Sequence, residues 1–498
     1  EYLLNKKFDI ITIKLLKTFR FIKTSISYKF LIKLIYRIIF IFKLWFVRIL
    51  KNFRGGDIMK NNKKISLSIV LASLITVSLV SCGSSSVKQD STASKTKVEE
   101  KADGKVQYGL EELNWDPDNY KALVNIIKEY GKDSKNYDEN QKPYAVFDWD
   151  NTTIMNDVEE ALLAYQLMNL EFKMTPEELD TVMKTNIPKD NFVEKCNNKE
   201  GKPVNIDLIT EDIVSDYTYL YENYKGFKGN KSLDEIKKEK EYEDFKAKLR
   251  YLYSAIGESF SSDVSYPWVT YLFKGMTSEE VAKLTEKSND YWLNEKLGVE
   301  TWTSSEEIPG KAGIVSVTFD TGLRTIKEQQ NLYKTLMKNG IDVYICSASY
   351  IDVVREFATN PKYGYELPSK NIYAMELLKT DDGKIKAELN PEYYQTQGKG
   401  KTETIKKFLV PTHNKGPVIT GGDSNGDYYM LSDFEDTKVS LIINRCKGGK
   451  IGELCDKAIE TMGKSDERYF LQGRNNNTGE FIPSEKTILL GEDTEKLK

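Results

Sequence analysis

The sequence predicts an α/β chain, a doubly wound parallel sheet with a large, mostly helical insertion between its first two strands. Three observations carry that prediction. Five short apolar runs have the length and β-branched content of strands buried on both faces: 144–148, 342–347, 371–376, 417–422 and 439–444. Helical patterns separate the later runs, which is the alternation of a parallel sheet with crossover helices. The stretch from Met155 to about Val315 carries helix-start signals in place of strand alternation.

The chain has 498 residues, 40% hydrophobic and 30% charged, a soluble globular composition. Its N-terminus differs from the rest. Residues 1–58 are crowded with Ile, Lys, Phe, Leu and Arg, and the most apolar part carries Lys33, Arg37, Lys43 and Arg48. A spanning helix of about 20 residues carries few charges, so this is a poor one. Residues Arg54-Gly55-Gly56-Asp57 before Met59 can be encoded by a purine-rich ribosome-binding site. The expectation is that 1–58 is translated upstream sequence and that Met59 is the start; the competing reading is a basic membrane arm.

From Met59 the pattern is that of a secretory signal, with a basic segment "MKNNKK" and an uncharged apolar run over 65–81. Ser81 then stands directly before Cys82 in "LVSC". This resembles the lipobox of bacterial lipoproteins, which implies a diacylated Cys82 at the mature N-terminus, anchored to the membrane of a bacterium and facing outward. Acyl anchoring is worth ~0.8 kcal/mol per buried CH2. Residues 82–105 are polar, a flexible tether.

Residues 1–81 hold 16 of the 72 lysines and arginines and 3 of the 75 acids. The remainder therefore has 56 basic and 72 acidic residues, a net charge of −16. Polyanions are disfavoured as partners, nucleic acid included, and cations are favoured. The five cysteines show no zinc-type spacing; Cys346 reads as core, and pairing of Cys446 with Cys455 stays open. His413 is the only histidine, so chemistry must run on carboxylates, hydroxyls and lysines.

The first strand, "YAVFD", climbs to Asp148, and Asp150 and Thr152 follow at spacing two. A carboxylate at the carboxyl end of a strand lies where sites of doubly wound sheets form. It can act as nucleophile, and its neighbour as general acid and base. Two such carboxylates tolerate each other across a divalent cation, and oxygen-only ligands suit Mg2+. The insertion follows. "TPEELDTVMKT" (175–185) and "TSEEVAKLTEK" (277–287) each open with an N-cap Thr and a Glu three residues on. A helical insertion above the strand ends can serve as a lid.

The later strands and helices supply the remaining groups. Ser347 ends the second run, and helical patterns follow at 323–340 and 351–358. Lys401 opens the amphipathic segment 401–410; Lys399 is its rival, and Ile405 and Phe408 favour Lys401. The fourth run leads through Gly421 and Gly422 into Asp423 and Asp427, the glycine pair allowing close backbone approach to a ligand.

With "DWDNT" (148–152), Ser347, Lys401 and "GDSNGD" (422–427) in this order, the chain resembles the haloacid dehalogenase superfamily. The resemblance implies a Rossmann-like core over 106–155 and 316–498 and a helical cap over 156–315. It implies that Asp148 forms an aspartyl-phosphate and that Asp150 serves the leaving alcohol and then water. It further implies that Ser347 and Lys401 hold phosphoryl oxygens. Asp148, the Asp150 carbonyl and Asp423 would ligate Mg2+, with Asp427 in support. An acid at 150 suits phosphomonoester hydrolysis.

From about Leu113 on, the chain also resembles bacterial phosphorylcholine phosphatases, through 144–163, "YPWV" (266–269), 332–349, "NPKYGY" (360–365) and "INR" (443–445). That implies a small phosphomonoester as partner. A quaternary ammonium is recognised by aromatic faces and a carboxylate. Glu160, about three helical turns after Asp150, and Tyr251 and Tyr253 are the expected choline-binding residues, with Thr152 also at the substrate and Tyr266 and Trp268 as further aromatics. The loop before Asp427 looks one residue shorter than in those relatives, and the insertion is longer, with a charged run over 228–248. Two other readings stay open: a broad-specificity surface acid phosphatase, and a choline- or solute-binding lipoprotein on an inactive scaffold.

Overall fold

The structure, a computed structural model, describes residues 106–498. The expectations for 1–58, for the signal at 59–81 and for Cys82 and the tether to 105 fall outside the described residues.

The main sheet has six parallel strands: β1 Tyr144–Phe147, β2 Asp342–Tyr350, β3 Ile372–Met375, β4 Ile419–Gly422, β5 Val439–Ile443 and β6 Tyr469–Gln472. Their order is β6-β5-β4-β1-β2-β3. β1 is central, and the order reverses around it, so its carboxyl end opens onto the crevice where such sheets bind ligands. This is the doubly wound parallel sheet that the sequence predicts.

The two-residue repeat of a strand explains why both faces are apolar. Ala145 and Phe147 of β1, with Val343 and Ile345 of β2, belong to one hydrophobic cluster. Tyr144 and Val146, with Tyr344 and Cys346, belong to another that includes Ile405, Leu409, Met430 and Phe434. Helices α1 (Pro117–Tyr130) and α8 (Lys327–Lys338) supply Leu123, Ile127, Leu332 and Leu336 to the first. β6 was not among the expected strands: it is four residues long, ends in the polar Gln472 and follows the charged segment 464–468. Strand identity there comes from pairing with β5.

The insertion leaves and rejoins the core through a short ribbon in which Ile154–Met155 pairs antiparallel with Arg324–Thr325. Its longer helices are α2 Val158–Asn169, α3 Pro176–Lys184, α4 Ile206–Asn223, α5 Lys240–Ser259, α6 Ser262–Thr270 and α7 Ser278–Asn294. Thr175 and Thr277 cap α3 and α7 with reciprocal bonds to Glu178 and Glu280, as the sequence predicts. Each such cap is worth about 1 kcal/mol. The insertion also holds a β-hairpin, Gly298–Thr303 with Ser316–Thr321. The expected boundary at 315/316 cuts this hairpin. Ser316 pairs with Thr303, so the chain returns to the core at Arg324 and not at 316.

Buried charge ties the hairpin's connecting loop to the helices. Lys248 is fully buried and pairs with Asp212 (2.9 Å) and Asp244 (2.7 Å). Asp212 accepts the backbone N–H of Lys311 and Ala312, and Asp244 that of Ser305. Beyond β6 a small four-stranded sheet over residues 474–496 closes the chain, with Arg474 at its start.

Candidate active site

The tight turn after β1 is held by its own backbone. Asp148 N–H donates to the Gly421 carbonyl (2.9 Å), and Thr153 and Ile154 donate to the Trp149 carbonyl. Asn151 takes a left-handed conformation (φ 59°). Arg474 fixes it there, donating to the Asn151 carbonyl (3.2 Å) and to its Oδ1 (3.0 Å). This geometry points Asp148 and Asp150 into a cavity of about 210 Å3 between the sheet and the insertion.

Asp148, Asp423 and Asp427 converge there, their nearest oxygens all within 4.8 Å of one another, and all three are buried. Lys401, third residue of the short helix α9 (Lys399–Thr404), donates to Asp148 Oδ1 and to Asp427 Oδ1, each at 2.6 Å. Lys399 instead lies 5.4 Å above the Tyr429 ring. Of the two lysines, Lys401 is the one in the site. Asp427 Oδ2 accepts the backbone N–H of Asp423 and Ser424 and the Ser424 hydroxyl, all at 3.0 Å. Gly422 makes that possible: a Cβ there would sit 2.5 Å from Asp427 Cβ. The glycine therefore admits a side chain of the protein itself, not only a ligand.

Asp423 accepts from Thr152 Oγ1 (3.1 Å) and Arg445 (2.7 Å), with Lys447 3.8 Å away. Asp150 accepts the Val158 N–H at the start of α2 (2.7 Å) and the Ser349 hydroxyl (2.7 Å). Asp150 thus joins the core to the first helix of the insertion.

The charges are out of balance. Burial, and then Asp427, push the Asp148 carboxyl well above the ordinary range; burial, and then Asp157, do the same to Asp150. Burial would also raise Asp423, but Arg445 and Lys447 outweigh it and hold it low. Burial alone would lower the Lys401 pKa, yet Asp148 and Asp427 outweigh it and raise the pKa above the ordinary lysine value. Three buried carboxylates whose oxygens lie within 4.8 Å of one another, all hard oxygen donors with surplus negative charge, fit a small divalent cation such as Mg2+.

The other expected residues divide. Ser347 is fully buried below the cavity, its Oγ accepting the Ser349 N–H (3.2 Å). Ser349, two residues on in the same strand, is the hydroxyl that lines the cavity. Thr152 does not line it either; its hydroxyl is spent on Asp423. Glu160 lines the cavity from the first turn of α2, which Asp157 caps. Its Oε2 is bound by the buried Arg250 guanidinium at 2.5 Å.

Tyr253 lines the cavity, stacked on Trp268 with ring centres 6.2 Å apart. Tyr251, one residue removed from Leu252 on the same helix, points elsewhere: it packs on Phe192 and donates to the Cys196 carbonyl. It is a core residue of the insertion and not part of the site. Trp268 is buried behind Tyr253 and donates to the Met183 carbonyl, whereas Tyr266 faces the cavity and is 38% exposed. The four described cysteines are free.

Several contributors escaped the sequence reading. Arg474, Asp320, Arg250 and Lys447 carry no local motif, and only tertiary structure brings them to the cavity or its turn, whereas Ser349 stands two residues past Ser347 on the same strand. For Arg445 the "INR" string was the available signal.

No family model matches the chain. A solved structure from Anaerococcus prevotii, described as a conserved functionally unknown protein, superposes with a TM-score of 0.72 at 37% identity. The match covers 78% of this chain and all of that one. This chain belongs to the same family as that protein. Over 331 residues the chain is also 27% identical to phosphorylcholine phosphatase of Pseudomonas aeruginosa, spanning 61% of this chain and 76% of that enzyme.

Proposed function

We propose that the protein is a Mg2+-dependent phosphomonoester hydrolase that works through an aspartyl-phosphate on Asp148 and acts on phosphorylcholine. The observation that carries the reading is the pairing of Asp148 with Lys401 at a strand end, inside a cavity whose two sides differ in charge. The core side offers Lys401, Arg445 and Lys447 beside Asp148 and Asp423, whose charge a bound cation would offset; the insertion side offers Asp157, Tyr253, Tyr266 and Glu160, the last already paired with Arg250. A phosphate ester of a cationic alcohol has the complementary charge pattern. The likeness to the Pseudomonas enzyme supports the same substrate.

In this reading Asp148 attacks phosphorus, and the bond from phosphorus to the alcohol oxygen breaks. Asp150, protonated at the outset, gives its proton to the departing alkoxide. It then takes a proton from water, which attacks the phosphoryl group, releasing phosphate and restoring Asp148. Lys401 holds the Asp148 carboxylate in place and balances charge on the phosphoryl oxygens. Asp148, Asp423 and Asp427 would hold the metal, which neutralises phosphoryl charge when bound. The Asp150 carboxylate is already oriented by Ser349 and the Val158 N–H.

The N-terminal pattern supports a protein tethered outside the membrane by acylated Cys82. Mass spectrometry of the native protein tests this: the proposal requires a diacylated Cys82, and an unmodified one contradicts it. Phosphate release from phosphorylcholine by the purified protein with Mg2+ tests the activity. Equal kcat/KM on phosphorylcholine and p-nitrophenyl phosphate would favour a broad-specificity phosphatase.

A further inference from the structure

The acid expected to meet the substrate's cation is already occupied. Glu160 is bound at 2.5 Å by Arg250, whose guanidinium is almost wholly buried and lies 4.8 Å from the Phe319 ring and 5.5 Å from the Tyr253 ring. An internal cation thus takes up both the carboxylate charge and one aromatic face. A second cation brought by the substrate would meet a neutralised pair at Glu160.

One residue along the hairpin from Phe319, Asp320 also lines the cavity. Its backbone pairs with Val299, but its side chain makes no hydrogen bond or ion pair among the described residues. The hairpin loop is anchored by the buried Lys248 network, which fixes the strand that carries Asp320. Glu159, also on the cavity wall and buried, leaves its Oε1 without a hydrogen-bond partner. Unpaired carboxylate oxygens therefore remain on the insertion side even after Arg250 is counted; Arg445, Arg474 and Lys447 act on Asp320 through space without forming an ion pair with it.

We propose that Asp320 is the specificity-determining carboxylate for the cationic end of the substrate, and that Arg250 is a positioning residue that holds Glu160 against the Tyr253 ring. This deepens the phosphorylcholine reading and rests on it. Tyr266, which also lines the cavity, supplies a further aromatic ring. The hairpin residue, and not the helix residue, then sets the preference for charged over neutral alcohols.

The test is Asp320→Asn, a near-isosteric change on an exposed hairpin position. The ratio of kcat/KM for phosphorylcholine to that for p-nitrophenyl phosphate is expected to fall about five- to tenfold, carried by KM. A ratio within twofold of the parent protein overturns the proposal. Choline affinity, measured by calorimetry on the parent and on Asp320→Asn, separates this inference from the activity it builds on. If phosphorylcholine is not hydrolysed but choline binds and the variant weakens it about five- to tenfold, the substrate reading fails and Asp320 stands. If choline affinity is the same in both proteins, or absent in the parent, the assignment of Asp320 falls. Arg250→Lys checks the second half: it keeps the charge but loses the fork on Glu160 and Ser254. A raised KM for phosphorylcholine at unchanged kcat supports positioning, and an unchanged KM contradicts it.

Discussion

Replacing Lys401 with Met keeps the aliphatic stem and removes only the charged head. That head makes two 2.6 Å contacts, to Asp148 and Asp427, and the side chain is 2% exposed. Breaking a buried ion network by deleting one partner costs about 3–5 kcal/mol, because the remaining charges stay buried and unpaired. With an unfolding entropy of about 2.1 cal/mol/K per residue, that corresponds to a fall in Tm of roughly 4–6 °C for a unit of some 390 residues. The loss should be largest in EDTA, where nothing replaces the missing positive charge. Mg2+ should raise Tm more in Lys401→Met than in the parent. Turnover should drop about 10²–10³-fold, the usual cost of removing one group that stabilises a developing oxyanion. Differential scanning fluorimetry with and without Mg2+, paired with phosphate release, reads both effects. A Tm within 1 °C of the parent in EDTA, or turnover within tenfold, would refute the reasoning that Lys401 is the counter-charge of this site.

Other expectations follow from the same geometry. Burial, and then a hydrogen bond to Asp244, push the Asp216 carboxyl up to about 9. A group raised in the folded state stabilises fully below its unfolded pKa, near 4, and that contribution is lost as pH rises through about 9. Asp216→Asn should therefore flatten the decline in Tm between pH 5 and 9, and parallel curves for the two proteins would contradict this. Tyr251→Phe should leave KM for phosphorylcholine unchanged and cost about 1 kcal/mol of stability through the lost bond to Cys196, whereas Tyr253→Ala should raise KM; equal KM effects would reverse the placement of the two rings. Arg474→Met should free Asn151 from its left-handed conformation and lower kcat with KM little changed, because the turn that aims Asp148 and Asp150 loses its support; an unchanged kcat would show that the turn holds itself.

The sheet was legible because its strands are buried on both faces, which writes near-continuous apolar runs such as 144–147 and 439–443 into the chain. Helix starts at Thr175 and Thr277 were legible because capping is a contact between residues three apart. What failed to show was nonlocal. β6 is too short to stand out, and the hairpin across 298–321 depends on pairing over a long loop. Tyr251 and Tyr253 lie on one helix but face different surroundings, a distinction that spacing alone does not make. The pairing of Glu160 with Arg250 spans 90 residues, and no local pattern announces it.

The central claim is that Asp148 carries the phosphoryl group. The direct measurement is phosphate release from phosphorylcholine with Mg2+ by the parent protein and by Asp148→Asn, with circular dichroism to confirm that both are folded. The account predicts turnover in the parent and loss to background in a folded Asp148→Asn. A folded variant that still releases phosphate at more than about a hundredth of the parent rate would contradict it.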